Sequence, residues 1–283
     1  MLDETEPTTR SALRAARRGG STSTSREISI ASVPLRPRPV VVAATVVTAG
    51  ALGVAAMTSA LAAVVAVVGV VGLAIVAGWP ALSGSPVPRG QAVVLAITTV
   101  AVLAALLLAP DTARLEPVPA AIAVGIVAMC VLPLAVERAR TDLSEGLAQT
   151  AAGIALIACA APLVAVAELA PRALATAMIA VALTSLIDLL SGRPGIMRWL
   201  WPMAVVGGAL GGMIAGLALL GSVRPWAILA GMLSASVALA LRAILSRRPA
   251  IEGTWPSVAC GAGSVLITGP VIYVLVRAMG GLG

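Results

Sequence analysis

The sequence predicts an all-α fold: a polytopic transmembrane bundle of about nine helices whose N-terminus lies in the cytoplasm. Of the 283 residues, 59% are hydrophobic and 11% are charged, whereas soluble domains carry roughly 25% charged residues. The apolar residues fall in runs of roughly 17 to 21, the length that an α-helix needs to cross about 30 Å of hydrocarbon. The arginines gather at alternate ends of these runs, as expected of a chain that crosses a bilayer repeatedly.

Residues 1–39 differ from the rest of the chain, with seven arginines, four acidic residues and a Ser-Thr tract. We expect a disordered cytoplasmic tail, retained on a transmembrane helical domain over residues 40–283. The first two apolar runs join into about forty residues, which as one helix would be about 60 Å long, so they predict a hairpin turning near Thr58 and Ser59. The nine predicted segments are Val40–Met57, Ala60–Gly78, Ala92–Ala109, Val118–Val136, Leu147–Ala167, Ala173–Leu190, Met203–Gly221, Trp226–Leu245 and Ser257–Val276.

The arginine distribution supports this count, because short cytoplasmic loops are enriched in positive side chains. With the N-terminus inside, 15 of the 19 arginines lie on the cytoplasmic side and only Arg114, Arg172, Arg224 and Arg277 lie outside. If the first two segments formed a single helix, 11 arginines would lie on the cytoplasmic side and 8 outside. The arginine distribution therefore favours the hairpin.

Six aromatic residues lie at or near the ends of the predicted helices, where an apolar ring with a polar tip suits the headgroup region. We therefore expect all six to act as interface anchors. They are Trp79, Trp199, Trp201, Trp226, Trp255 and Tyr273.

Missing side chains exclude several kinds of chemistry. The chain has no histidine and no lysine, which excludes histidine-ligated metals, Ser-His nucleophiles, Schiff bases and Walker-type phosphate loops. Cys130, Cys159 and Cys260 are each alone in an apolar run, which predicts small core residues rather than a disulfide or a zinc site. We expect no cofactor, no metal and no nucleic-acid partner. Lysine, phenylalanine and asparagine, which are absent, have AT-rich codons, and this indicates a GC-rich bacterial genome. Together with the apolar runs, it predicts a multi-pass protein of the inner (plasma) membrane.

The segment Met203–Gly221 carries overlapping small-xxx-small spacings, which let a neighbouring helix backbone approach closely. Two interpretations stay open: packing inside the bundle, or contact with a second copy or another membrane protein. The glycines concerned are Gly207, Gly208, Gly211, Gly212 and Gly216.

Asp188 is the only acidic residue that lies within an apolar run. A carboxylate at a helix C-terminus opposes the macrodipole, so we expect a cationic partner, with Arg193 and Arg198 in the next loop the nearest candidates. One interpretation is a salt bridge that fixes this loop; the other is a cytoplasm-facing site for an anionic phospholipid headgroup, because arginine binds phosphate bidentately. The candidate headgroup site consists of Asp188, Thr184, Ser185, Arg193, Arg198 and Arg140.

Several short motifs between Asp142 and Arg277 resemble those of bacterial phosphatidate cytidylyltransferases. They are Asp188 at the end of an apolar helix, Gly192-Arg193, Arg198-Trp199, Gly207-Gly208 and the final Thr268-Gly269-Pro270-Val271-Ile272-Tyr273. The chain lacks the lysine-rich loop of that family, and Glu252 is its only acidic residue after Asp188. The resemblance therefore implies a related membrane scaffold that has lost catalysis.

Three functions are open on the sequence. The first is a non-catalytic integral membrane protein that acts through helix packing or through contacts with anionic lipid or a protein partner. The second is a transporter or permease for a small neutral or anionic solute. The third, which follows only from the resemblance, is a lipid-modifying enzyme.

Overall fold

The computed structural model describes residues 38–58, 60–85, 87–110, 113–135, 143–190 and 199–279. Within these ranges the chain is helical and contains no strand. The α-helices are α1 (Pro39–Met57), α2 (Leu61–Ser83), α3 (Pro88–Leu108), α4 (Val118–Ala135), α5 (Leu143–Ala158), α6 (Ala160–Leu169), α7 (Pro171–Ser185), α8 (Leu200–Leu220), α9 (Pro225–Leu245), α10 (Thr254–Leu266) and α11 (Gly269–Ala278). Short 3₁₀ turns follow α7 at Leu186–Leu190 and precede α10 at Pro249–Glu252.

These helices make nine apolar segments in the described part of the chain, which confirms the predicted fold class. Eight are long and apolar enough to cross a membrane, and α4 provides the ninth, with a shorter apolar stretch at Val118–Leu132. Three of the eight join two helical pieces: α5 with α6, α7 with its 3₁₀ turn, and α10 with α11. We call the end of the bundle where α1 begins the inner end, since the arginines predict that it faces the cytoplasm, and the opposite end the outer end.

The first two segments form the predicted hairpin. Helix α1 ends at Met57 and α2 begins at Leu61, and the Thr58 hydroxyl donates a hydrogen bond of 2.7 Å to the carbonyl oxygen of Ala55. Large apolar side chains such as Val47, Val70 and Leu108 remain exposed on the outside of the bundle, as expected where the solvent is lipid.

Helices α10 and α7 hold the bundle together. Helix α10 packs against α2 and α1, while α7 packs against α1, α8 and α9. The closest approaches need glycine: a Cβ on Gly261 of α10 would lie 2.5 Å from the carbonyl oxygen of Val41 in α1. The helices of the two flanks, α3 with α4 and α8 with α9, are attached around this centre.

The structure corrects two expectations about single residues. Trp199, Trp201 and Trp255 are exposed at helix ends, but Trp79 and Trp226 are buried. The indole Nε1 of Trp79 donates a 2.9 Å hydrogen bond to the carbonyl oxygen of Gln149, so this ring belongs to the α2–α5 contact rather than to the interface. Among the cysteines, Cys260 is buried as expected, whereas Cys130 is exposed on α4 because nothing in the described chain covers that face.

Candidate functional site: a buried arginine–aspartate cluster

An ion pair joins the inner ends of α7 and α9. The 3₁₀ turn after α7 carries Asp188, and its Oδ2 accepts a 2.6 Å hydrogen bond from Nε of Arg242, one turn before the end of α9. The Arg242 side chain is 4% exposed and that of Asp188 is 19% exposed. Ionisable side chains this deep in a membrane protein are costly to bury, and they commonly mark functional sites.

Hydroxyl groups from two further helices complete the cluster. Nη1 of Arg242 donates to Oγ of Ser264 in α10 over 3.2 Å, and this hydroxyl donates to the carbonyl oxygen of Gly261 over 2.7 Å. The Thr45 hydroxyl of α1 lies 3.4 Å from that of Ser264. Thr45 is six residues past the start of α1, which at 1.5 Å per residue places it about 9 Å inside the helix. The guanidinium therefore reaches into the bundle rather than out towards water.

Two guanidinium nitrogens at this end are buried without a hydrogen-bond partner: Nη2 of Arg242 and Nη1 of Arg38. Arg38 directly precedes α1, and Val41 and Thr45 follow it on the same helix face, the one that packs against α10. On α10 this face meets Gly261, which is three residues before Ser264. We call Arg38, Thr45, Asp188, Arg242 and Ser264 the inner cluster; with two cations and one anion it has a net charge of +1.

The structure describes three residues of the candidate headgroup site, namely Asp188, Thr184 and Ser185. The partner of Asp188 in the described chain is Arg242, which lies 54 residues away. The hydroxyls of Thr184 and Ser185 are buried and donate to carbonyl oxygens of their own helix, those of Ala180 and Ala182. Arg140, Arg193 and Arg198 lie outside the described residues. One signal could have found Arg242: it is the only arginine inside a predicted apolar segment.

The glycines of α8 lie on faces that α9 and α7 cover. A Cβ on Gly208 would lie 2.6 Å from the carbonyl oxygen of Gly231 in α9, and one on Gly212 would meet the carbonyl of Ala227. Gly216 also faces α9, whereas Gly207 and Gly211 face α7. In the described chain these faces are occupied by neighbouring helices, so a second copy could use them only if α9 or α7 moved away.

A second buried ion pair lies at the outer end. Nε and Nη2 of Arg114 donate to the two carboxylate oxygens of Glu168, at the end of α6. Nη1 of Arg114 donates to the carbonyl oxygens of Leu106 and Ala109, each over 3.0 Å, which caps the C-terminus of α3. This arginine therefore uses at least four of the five N–H donors that a guanidinium has, whereas Arg242 uses two.

No family model, curated protein or solved structure matches this chain. The resemblance to phosphatidate cytidylyltransferases thus stays a prediction. A two-metal phosphoryl-transfer site gathers several carboxylates, and no group of three or more potential metal ligands occurs among the described residues. Incubating the purified protein with phosphatidate, CTP and magnesium would test the resemblance directly.

Proposed function

We propose that this integral membrane protein binds the anionic headgroup of a phospholipid at its inner cluster and performs no reaction on it. The observation that carries the proposal is the pair of buried, unpartnered nitrogens on Arg38 and Arg242. Leaving a buried donor unsatisfied costs about 1–3 kcal/mol, and more for a charged group, so a site with two such donors favours an acceptor that fills it.

A phosphate group matches the donors and the charge of the inner cluster. Asp188 and Ser264 hold Nε and Nη1 of Arg242, which orients the guanidinium plane and leaves Nη2 as the nitrogen without a partner. Phosphate oxygens accept hydrogen bonds from guanidinium nitrogens, and these charge-assisted bonds are stronger than neutral ones. The net charge of +1 favours an anion, and the inner end is the one that the arginine count assigns to the cytoplasm, where anionic lipids are enriched.

The test uses Arg38, because removing Arg242 would leave Asp188 buried without its partner. The full chain is reconstituted in nanodiscs of phosphatidylcholine and phosphatidylglycerol, and native mass spectrometry counts the retained lipids. We expect Arg38→Gln to lower phosphatidylglycerol retention about tenfold or more, since a hydrogen bond to a charged group contributes about 1.5–3 kcal/mol. Arg224→Gln, the same change on an exposed residue at the outer end, is the matched control. Equal retention by all three proteins would refute the proposal, as would an equal fall in both variants.

A second candidate, transport of a small neutral or anionic solute, is favoured by one other observation. Two membrane segments are interrupted, between α5 and α6 and between α10 and α11, and the interruptions touch where Gly269 packs against the carbonyl of Cys159. Pro162 and Pro270 follow these breaks, and each removes an N–H from the helix ladder. Broken helices that meet within the membrane are typical of secondary transporters.

Osmotic swelling of proteoliposomes separates the two candidates. If the chain transports, light scattering should record faster swelling than for protein-free vesicles, either in glycerol or in potassium phosphate with valinomycin and a protonophore to balance the charge. Gly269→Leu should abolish the difference because it forces the two interruptions apart. Gly50→Leu, at a glycine with open space around it, is the control. Swelling at the protein-free rate in both solutes would remove transport of these solutes and leave the lipid-binding proposal unaffected.

A further inference from the structure

A cavity of about 270 Å³ opens at the outer end of the bundle, between the turn that joins α1 to α2 and the turn that joins α6 to α7. Apart from Glu168, the described residues that line it have apolar side chains: they are alanines together with Leu61, Val64 and Pro171. Of the described residues that line it, only Glu168 carries a charge. At roughly 30 Å³ per water molecule, the volume equals about nine waters, which is enough for a small organic group.

The Glu168 carboxylate has acceptor capacity left beyond its bonds to Arg114. Arg114 donates one hydrogen bond to each oxygen, and an ionised carboxylate offers about four acceptor sites. The Glu168 side chain is 27% exposed, and it is the part of the ion pair that borders the cavity. A carboxylate can only accept, so a ligand that satisfies these sites must donate.

We propose that this outer cavity binds a protonated amine, with the ammonium group on Glu168 and a short carbon chain against the alanines, Leu61 and Val64. A carboxylate is the nearest charge that such a cation meets, and an ammonium group provides up to three donors. The chemistry is shared by a free alkylamine and by the ethanolamine headgroup of a phospholipid. The site is separate from the inner cluster and does not depend on the function proposed above.

Thermal unfolding of the purified full chain in detergent tests the proposal with butylammonium chloride as the probe. We expect a saturable rise of the unfolding midpoint by about 3 °C or more, because a ligand that binds only the folded state stabilises it. Sodium butyrate and sodium chloride at the same ionic strength should give no such rise. A parallel measurement in nanodiscs compares phosphatidylethanolamine with phosphatidylcholine, whose quaternary ammonium has no N–H donor. A response in this arm alone identifies the lipid headgroup as the ligand, and a response in detergent alone identifies the free amine.

Two variants locate the response without touching the ion pair. Ala167→Leu and Ala60→Leu each place a larger side chain on the cavity wall, so both should abolish the rise. Ala62→Leu is the matched control, since Ala62 is exposed at the start of α2, two residues after Ala60, and does not border the cavity. The proposal is overturned if neither arm responds, if butyrate gives the same rise, or if the filled variants respond like the control. Arg38→Gln should leave the response intact.

Discussion

Adding one methyl group to α8 should destabilise the protein, whereas the same addition to α1 should not. A Cβ on Gly212 would meet the carbonyl of Ala227, and backbone atoms cannot rotate out of the way as a side chain can. A Cβ on Gly50 would have nothing within 4 Å. Replacing glycine by alanine in a helix gains about 0.5–1 kcal/mol at either position, so this contribution cancels when the two variants are compared. The difference isolates the overpacking penalty, which is typically about 1–3 kcal/mol.

The comparison needs Gly212→Ala and Gly50→Ala purified in the same detergent and unfolded by heat while helicity is followed by circular dichroism. At about 2–4 °C per kcal/mol for a chain of this size, Gly212→Ala should unfold about 2–12 °C below Gly50→Ala. Equal midpoints would show that α8 and α9 are not in backbone contact at this point. If Gly50→Ala lowered the unfolding midpoint of the unchanged protein as much as Gly212→Ala does, any added methyl group would be harmful, and the loss could not be assigned to backbone contact between α8 and α9.

Two further predictions concern the inner cluster and the topology. Asp188→Asn and Arg242→Gln should each lower the unfolding free energy by about 3–5 kcal/mol, because each leaves a buried charge unpaired. The double variant should lose much less than the sum of the two losses. Additive losses in a thermal double-mutant cycle would contradict a direct ion pair. The orientation is tested in intact cells with a variant that lacks the native cysteines. Ser222→Cys at the outer end should react with a membrane-impermeant maleimide, while Ser85→Cys at the inner end should not. Labelling of Ser85→Cys but not of Ser222→Cys would show that the inner end faces outwards and would refute the predicted orientation.

The sequence predicts those parts of the fold that depend on the length of the apolar runs. A run of about forty apolar residues is twice the thickness of the hydrocarbon core, so it had to turn, and it does so at Thr58. The nine segments were likewise set by runs of bilayer length. The interruption at Cys159 was not foreseen, because Pro162 lies within an apolar run whose overall length already suited a single helix.

Which helices touch could not be read from the same residues. In a soluble protein, an amphipathic stripe shows which face of a helix is buried. In a membrane, the face towards lipid and the face towards protein are both apolar. In segments such as α1, alanine, valine and leucine occur on both faces, so the composition does not tell them apart. The partner of Asp188 was therefore sought in the adjoining loop, although it comes from α9 through tertiary packing. Trp79 was misplaced for the same reason, since its burial depends on α5.

The two buried arginines differ in how completely they are satisfied, and this difference separates a structural role from a binding role. Arg114 binds both oxygens of Glu168 and two carbonyls of α3, so its guanidinium is close to saturated and ties three parts of the chain together. Arg242 has a single bond to Asp188 and one to Ser264, and its Nη2 is buried with no partner in the described chain. A purely structural ion pair gains nothing from an unsatisfied donor, because the desolvation of that nitrogen remains uncompensated. The inner cluster is therefore the better candidate for an anion, and the outer pair fixes the carboxylate that borders the cavity.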